Sequence, residues 1–294
     1  MPSFFSLLKQ HGLKMGLATF LGYAAGFVGF YGVMFILMLV PMMMLGGMAA
    51  FEESLNPEMA AGFGLVGMIA FAILYIVMLF FSLLFGGFLN GGIYGMGTEM
   101  LLENRSGIGD FFLKGFRFMW RLTGQSFLMF LIFIPVYILL IPLGVGAEAM
   151  GDAGAFLMLP VFFAVMLVPM SVYLHAPALL VREDLRVWAS IKRAFRVAFS
   201  SFGSSVVSVL LYFFTIIAIN LAYAILAGVI LGPFFLLQVM VHEGFMVLTG
   251  LVGLPLGLGY AVIILPLSVA AAHILVLYRY EKHIRRRDDF PQAA

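Results

Sequence analysis

The sequence predicts an all-α fold: a polytopic helical membrane protein with six transmembrane helices, arranged as three tandem repeats of parallel topology, each a cytoplasmic interfacial amphipathic helix followed by a transmembrane hairpin. Three observations carry this expectation. The 294 residues are 64% hydrophobic and only 10% charged, with apolar runs longer than the roughly 20 residues needed to cross a bilayer. The basic residues gather in four places between those runs. A basic, aromatic phrase is written twice, as KGFRFMWRLTGQS at 114 to 126 and RAFRVAFSSFGSS at 193 to 205. The apolar runs are continuous and rich in Leu, Phe, Met, Ala and Gly, which argues against the short alternating segments of a membrane β-barrel.

Taken in chain order, the expected spans lie near 16 to 45, 64 to 97, 124 to 146, 156 to 181, 204 to 234 and 247 to 278. Lys9 and Lys14 precede an apolar run too long for the h-region of a cleavable signal, so the first run is read as a retained span. Several runs exceed one straight crossing, and Pro41, Pro135, Pro142, Pro169, Pro233, Pro255 and Pro266 are the expected kinks, since each removes a backbone donor. All 16 Lys and Arg precede span one or follow spans two, four and six. Those places share one side only if the chain crosses six times, and the positive-inside rule makes that side cytoplasmic, with both termini there. The opposite connections, AAFEESLNPEMA, GAEAMGDAGA and LQVMVHEGF, contain no Lys or Arg. The expected location is the bacterial cytoplasmic, or inner, membrane.

Both copies of the repeated phrase precede an outward-going span. On a helical wheel, Phe112, Phe116, Met119, Trp120 and Thr123 share one face, opposite Lys114, Arg117 and Arg121. In the second copy Trp188, Ile191, Phe195, Phe199 and Phe202 form the stripe, with Arg193 and Arg196 opposite and Lys192 at the border. Each phrase is expected to lie flat in the interface, cations toward anionic head groups, until Gly124 or Gly203 turns the chain into the membrane. A worn third copy, FFSLLKQHG, opens the chain if Gly12 is matched to those glycines. The even-numbered spans repeat too: VPMSVYLHAPALLVR and LPLSVAAAHILVLYR place Pro169 with Pro266, Ser171 with Ser268 and Arg182 with Arg279, while span two has Glu99 at the Arg position. Within one membrane domain covering 1–294, the repeat units run about 1–107, 108–186 and 187–287, followed by a solvated tail at 288–294. The whole stretch RYEKHIRRRDDFPQAA is read as solvated.

WASIKRAFR at 188 to 196 and LPLSVAAAHILVLYR at 265 to 279 resemble segments of the poorly characterised six-helix bacterial inner-membrane proteins that include YciC-like proteins and the membrane domain fused to some glycerophosphodiester phosphodiesterases. The resemblance implies a six-helix inner-membrane protein without the phosphodiesterase domain, and it brings no catalytic residue.

Function is read from what remains. No GxSxG, P-loop, HExxH or intramembrane Asp pair is present and there is no Cys, so the chain is read as non-enzymatic, with no catalytic residue, metal ligand or cofactor assigned. The expected role is a membrane-organising protein that contacts anionic lipids through Lys114, Arg117, Arg121, Lys192, Arg193 and Arg196, and binds a further copy or a membrane-protein partner. The alternative is a transporter or channel for a small solute, in one variant coupled to a separate cytoplasmic ATPase, with a path lined by Asn90, His175, Asn220 and His273. For each of those four the preferred reading is helix packing, and Gly87, Gly91 and Gly95 are expected to form a close-contact face beside Asn90. Glu99 is expected to pair with Arg or Lys at the interface, and His242 with Glu243 is read as solvated. A net charge of +2 and the lack of a soluble domain argue against nucleic-acid binding.

Overall fold

A computed structural model of the chain describes residues 3–49, 57–240 and 245–285. Helices α1 (Phe4–Ala49), α2 (Pro57–Glu103), α3 (Ile108–Ala149), α4 (Gly151–Arg182), α5 (Val187–Ser200), α6 (Phe202–Met240), α7 (Phe245–Gly259) and α8 (Leu265–Arg279) follow one another. A π-helical turn at Tyr260–Ile264 joins α7 to α8, and a second, Tyr280–Ile284, extends α8. Among the described residues, five helical stretches are long and apolar enough to cross a membrane: Ala72–Glu103, Ile108–Ala149, Phe156–Arg182, Phe202–Met240 and Met246–Ile284. The fold of the described residues is all-helical, and the chain is thus a multi-pass membrane protein. The expected first span, 16 to 45, lies within α1, and the side chains of its outer part fall outside the described residues. His242 and Glu243 also fall outside them.

The helices are longer than a bilayer demands. The 42 residues of α3 rise about 63 Å at 1.5 Å per residue, twice the roughly 30 Å hydrocarbon layer. At one end α3 and α4 are separated by Met150 alone, because Gly151 takes a left-handed φ of 64° that a residue with a Cβ would resist. At the other end α2–α3 and α4–α5 are joined by four-residue connections, 104–107 and 183–186. Each contains one left-handed residue, Asn104 (φ 51°) and Asp184 (φ 52°), of the two types that tolerate this conformation best after Gly.

The expected glycine face brings α2 onto α3. A Cβ on Gly91 would stand 3.2 Å from the carbonyl oxygens of Lys114 and Gly115, and one on Gly87 would stand 2.6 Å from that of Met119. Only hydrogen at these positions lets the two backbones approach so closely. This packing crosses the boundary drawn at residue 107. Around it lies the core, with Met15, Tyr94, Met96, Phe111, Leu122 and Leu277 all buried, and a second cluster joins Met129, Val172, Ile191, Val197 and Tyr280. Both clusters sit in the half of the bundle that carries the basic residues.

Three expectations need correction. The phrase at 114 to 126 is not a separate interfacial helix that turns at Gly124: α3 passes through it unbroken. One Gly costs a helix only about 1 kcal/mol, and its flanks are anchored, Thr123 donating to the Met119 carbonyl (2.8 Å) and Gln125 to the Ala176 carbonyl (3.0 Å). α1 likewise runs straight through Gly12. Only the second copy stands apart, as α5, and the chain breaks there at Ser201, before Gly203. The two-faced wheel is also incomplete. Phe116 and Trp120 face outward, but Phe111, Gly115, Phe118 and Leu122 form a third, buried face, and in α5 Ile191 belongs to the core. Finally, the segment after Arg279 is not solvated throughout, since Tyr280 and Ile284 are fully buried. Residues 286–294 lie outside the described residues.

Candidate functional site at the basic end of the bundle

The two four-residue connections and the end of α8 meet the start of α3 and all of α5, and charge is concentrated there. His11 of α1 fastens the first connection: its Nδ1 lies 2.8 Å from Ser106 Oγ and its Nε2 3.2 Å from Asn104 Oδ1. Glu99, one turn before α2 ends, takes the Lys114 ammonium at 3.1 Å, as expected.

The second connection supplies two carboxylates that tie the end of α4 to α3, α5 and the terminal π-turn. Asp184 receives Arg121 at 2.5 Å and Arg117 at 3.3 Å, while Arg121 also donates to the carbonyls of Asp184 and Leu185. The guanidinium groups of both arginines stand over the Phe118 ring, 5.2 and 5.6 Å from its centroid. The hydrogen bond from Arg121 foremost, opposed by burial and helped by the positive charges of Arg121 and Arg117, holds the Asp184 carboxyl below its ordinary pKa. Glu183 turns inward, accepting from Arg193 at 2.6 Å and from the Tyr280 hydroxyl at 2.6 Å. Glu281, in the terminal π-turn, is held by Arg182 at 2.6 Å and by Arg285 at 3.1 Å. Short, charge-assisted contacts of this kind are about twice as strong as neutral hydrogen bonds.

Of the six cations assigned to lipid head groups, Lys114, Arg117, Arg121 and Arg193 therefore have protein carboxylates beside them. Lys192 is exposed and stacks on Trp188, with Nζ 5.6 Å from the ring centroid, and Arg196 is exposed on the same helix. The sequence reading missed Glu183, Asp184, Glu281 and Tyr280. The available signal was the presence of acidic residues on the basic side, directly after Arg182 and Tyr280, where topology alone asks for none.

The four residues proposed for a polar path are distributed through the packing. His175 is fully buried, and its Nδ1 lies 2.8 Å from the Ser171 carbonyl, which can only accept, so the proton sits on Nδ1 and Nε2 is left unpartnered among the described residues. His273 makes the same bond to the Val269 carbonyl at 2.7 Å, with the rings of Tyr94 and Tyr212 edge-on at 5.4 and 5.0 Å. Asn220 donates to the Ile216 carbonyl at 2.7 Å and accepts from Tyr260 at 2.7 Å, joining α6 to the first π-turn. Asn90 is half-buried on α2.

Cavities open among these helices within the described residues, and three bear on the site. One, about 710 Å³, lies between α1, α2 and the α7–α8 rod and is walled by Phe20, Tyr23, Phe27, Phe85, Leu265 and their neighbours. A second apolar cavity of about 320 Å³ adjoins it across Gly26 and Phe85. The third, about 190 Å³ and polar, is at the basic end, lined by Thr98, Lys114, Arg117, Arg182 and Asp184 among others. None of Asn90, His175, Asn220 and His273 lines any of the three.

The fold and this site define a multi-pass membrane protein whose charged groups are gathered at one end of the bundle. No family model, curated protein or solved structure matches the chain.

Proposed function

We propose that this is a non-enzymatic protein of the bacterial cytoplasmic membrane that organises anionic lipid, a further copy or another membrane protein at its basic end. In this reading the chain crosses six times with both termini in the cytoplasm, and three parallel units, related as in the YciC-like group, supply the basic surface. The observation that carries it is the arrangement of that end: Phe116, Trp120, Trp188 and Phe199 point outward beside Arg117, Lys192 and Arg196. Aromatic rings at the acyl boundary with cations beside them are the chemistry of an anionic interface, each cation contributing about 1 kcal/mol there. Topology alone explains positive charge on one side, but does not require exposed rings in register with it. The acidic partners of Arg117 and Arg193 fit the same role, since they hold those side chains in place.

Retention of lipid by the purified protein tests this. Replacing Arg117, Arg121, Arg193 and Arg196 together by Gln should lower the share of phosphatidylglycerol over phosphatidylcholine seen by native mass spectrometry. An unchanged ratio in a folded variant would remove the lipid reading.

A further inference from the structure

We propose that the polar cavity at the basic end is a phosphate site, with the Asp184 carboxylate acting as an internal competitor that a ligand phosphate displaces from Arg117. The inference rests on the lipid-contacting reading only if the phosphate belongs to a lipid head group; a free phosphate would occupy the same site without it.

The cavity is small and specific in its lining. At about 190 Å³, with charged and hydroxyl groups among its walls, it has room for a phosphate group. Lys114, Arg117 and Arg182 converge on it from α3 and α4. A lysine ammonium carries three donors and a guanidinium five, so the ion pairs they already make do not exhaust them. Thr98 donates its hydroxyl to the Tyr94 carbonyl at 2.8 Å and is thereby held at the wall.

The three carboxylates paired with these cations differ in how firmly they are placed. Glu99 and Glu281 have side chains only 10% and 8% exposed and stand beyond the lining, at 3.1 Å from Lys114 and 2.6 Å from Arg182. Asp184 is itself part of the lining, and its side chain is 56% exposed. Its contact with Arg117, at 3.3 Å, is the longest of the three, whereas its other oxygen is held by Arg121 at 2.5 Å. Asp184 therefore has a route by which to release Arg117 and keep Arg121. A phosphate brings more acceptor oxygens than a carboxylate and matches the guanidinium fork of Arg117 and Arg182, with Lys114 as a point charge beside it. The step is an exchange of anions, with no bond made or broken.

The two substitutions that test it should act in opposite directions. In the full-length protein, stripped of lipid and held in neutral detergent, inorganic phosphate is titrated and thermal stabilisation is followed; in parallel, retention of phosphatidic acid and phosphatidylglycerol is measured by native mass spectrometry. Arg117→Gln should weaken the response about fivefold, the change that loss of one exposed ion-pair contact supports, and Asp184→Asn should strengthen it by a similar factor. Arg182→Gln should weaken it as well; if loss of the Glu281 partner prevents folding of that variant, Arg117→Gln carries the test alone. Opposite responses with inorganic phosphate identify a free-phosphate site. Opposite responses confined to the lipids identify a head-group site. If neither probe separates Arg117→Gln from Asp184→Asn, the cavity is not an anion site. The fourfold arginine replacement described above then decides separately whether the basic end still selects anionic lipid.

Discussion

At the basic end, α2 and α3 come together backbone to backbone at Gly91 and Gly115, whereas beyond Val209 no residue of α6 is fully buried as far as Met240. Both regions are written in the same apolar alphabet, and hydropathy does not distinguish them. The difference lies in glycine spacing and in carboxylates. Where Gly87, Gly91 and Gly95 allow close approach and Glu99, Glu183, Asp184 and Glu281 meet cations, the helices form a core. Elsewhere Leu139, Phe156, Val229 and Leu251 face outward, and the 710 Å³ apolar cavity opens between α1, α2 and the start of α8. In a bilayer, where lipid tails are as apolar as leucine, no hydrophobic force draws such faces together. Specific contacts must do it, and they are concentrated at one end.

That contrast can be broken at several points. The largest effect is expected from Glu281→Gln, which leaves Arg182 without its partner: removal of one member of a buried pair costs about 3 kcal/mol, and the unfolding midpoint in mixed detergent micelles should drop accordingly. Next, Gly91→Val places branched carbon against two carbonyl oxygens that belong to the backbone and cannot swing aside. A cost of about 2 kcal/mol is expected, while Gly228→Ala, where nothing lies within 4 Å, should stay within about 0.5 kcal/mol of the parent. Equal losses at the two glycines would erase the distinction between the halves. Gln125→Ala removes the bonds to the Ala176 carbonyl and to Ser190 Oγ; about 1 kcal/mol for each net hydrogen bond is expected, read by the same unfolding assay.

The smallest effect concerns pH. Because the folded-state pKa of Asp184 is lowered, by Arg121 foremost, its contribution is fully present above the ordinary carboxylate value and is lost as pH falls through the lowered one. Melting curves between pH 6 and about pH 3 should show an acid loss of stability that is shallower in Asp184→Asn. Identical slopes would mean that the arginines do not act on this carboxylate in solution.

Much of the architecture was legible because it is one-dimensional. Apolar runs, prolines and the four-residue spacing of Gly87, Gly91 and Gly95 can be read along the chain, and the structure places five apolar spans and the glycine contact where they were expected. The faces of α3 were read less well. A wheel separates polar from apolar, but nothing in it tells Phe118, which is buried beneath two arginines, from Phe116, which faces outward. That distinction depends on which neighbour arrives. The carboxylate latches were missed for a related reason: Glu183 meets Tyr280, and Arg182 meets Glu281, across about a hundred residues of sequence, and no local pattern joins them. The Gly124 turn failed on energy, since one glycine is a weak breaker when the residues on both sides are already bonded.

The π-turn at Tyr260–Ile264 has a consequence for rotation about the rod axis. Leu265 N–H reaches back five residues to the Tyr260 carbonyl, so the chain spends one residue more than an α-helical turn would. Every side chain after Pro266 is thereby displaced by about 100° from the phase set in α7. Leu251, Leu254 and Leu258 point outward before the turn, and Ala270, Ala271, Ala272 and Ile274 point into the core after it. The same continuous rod faces outward before the turn and is enclosed by protein after it, and deletion of any one residue from 260–264 would rotate the terminal latch, Tyr280 and Glu281, away from α4.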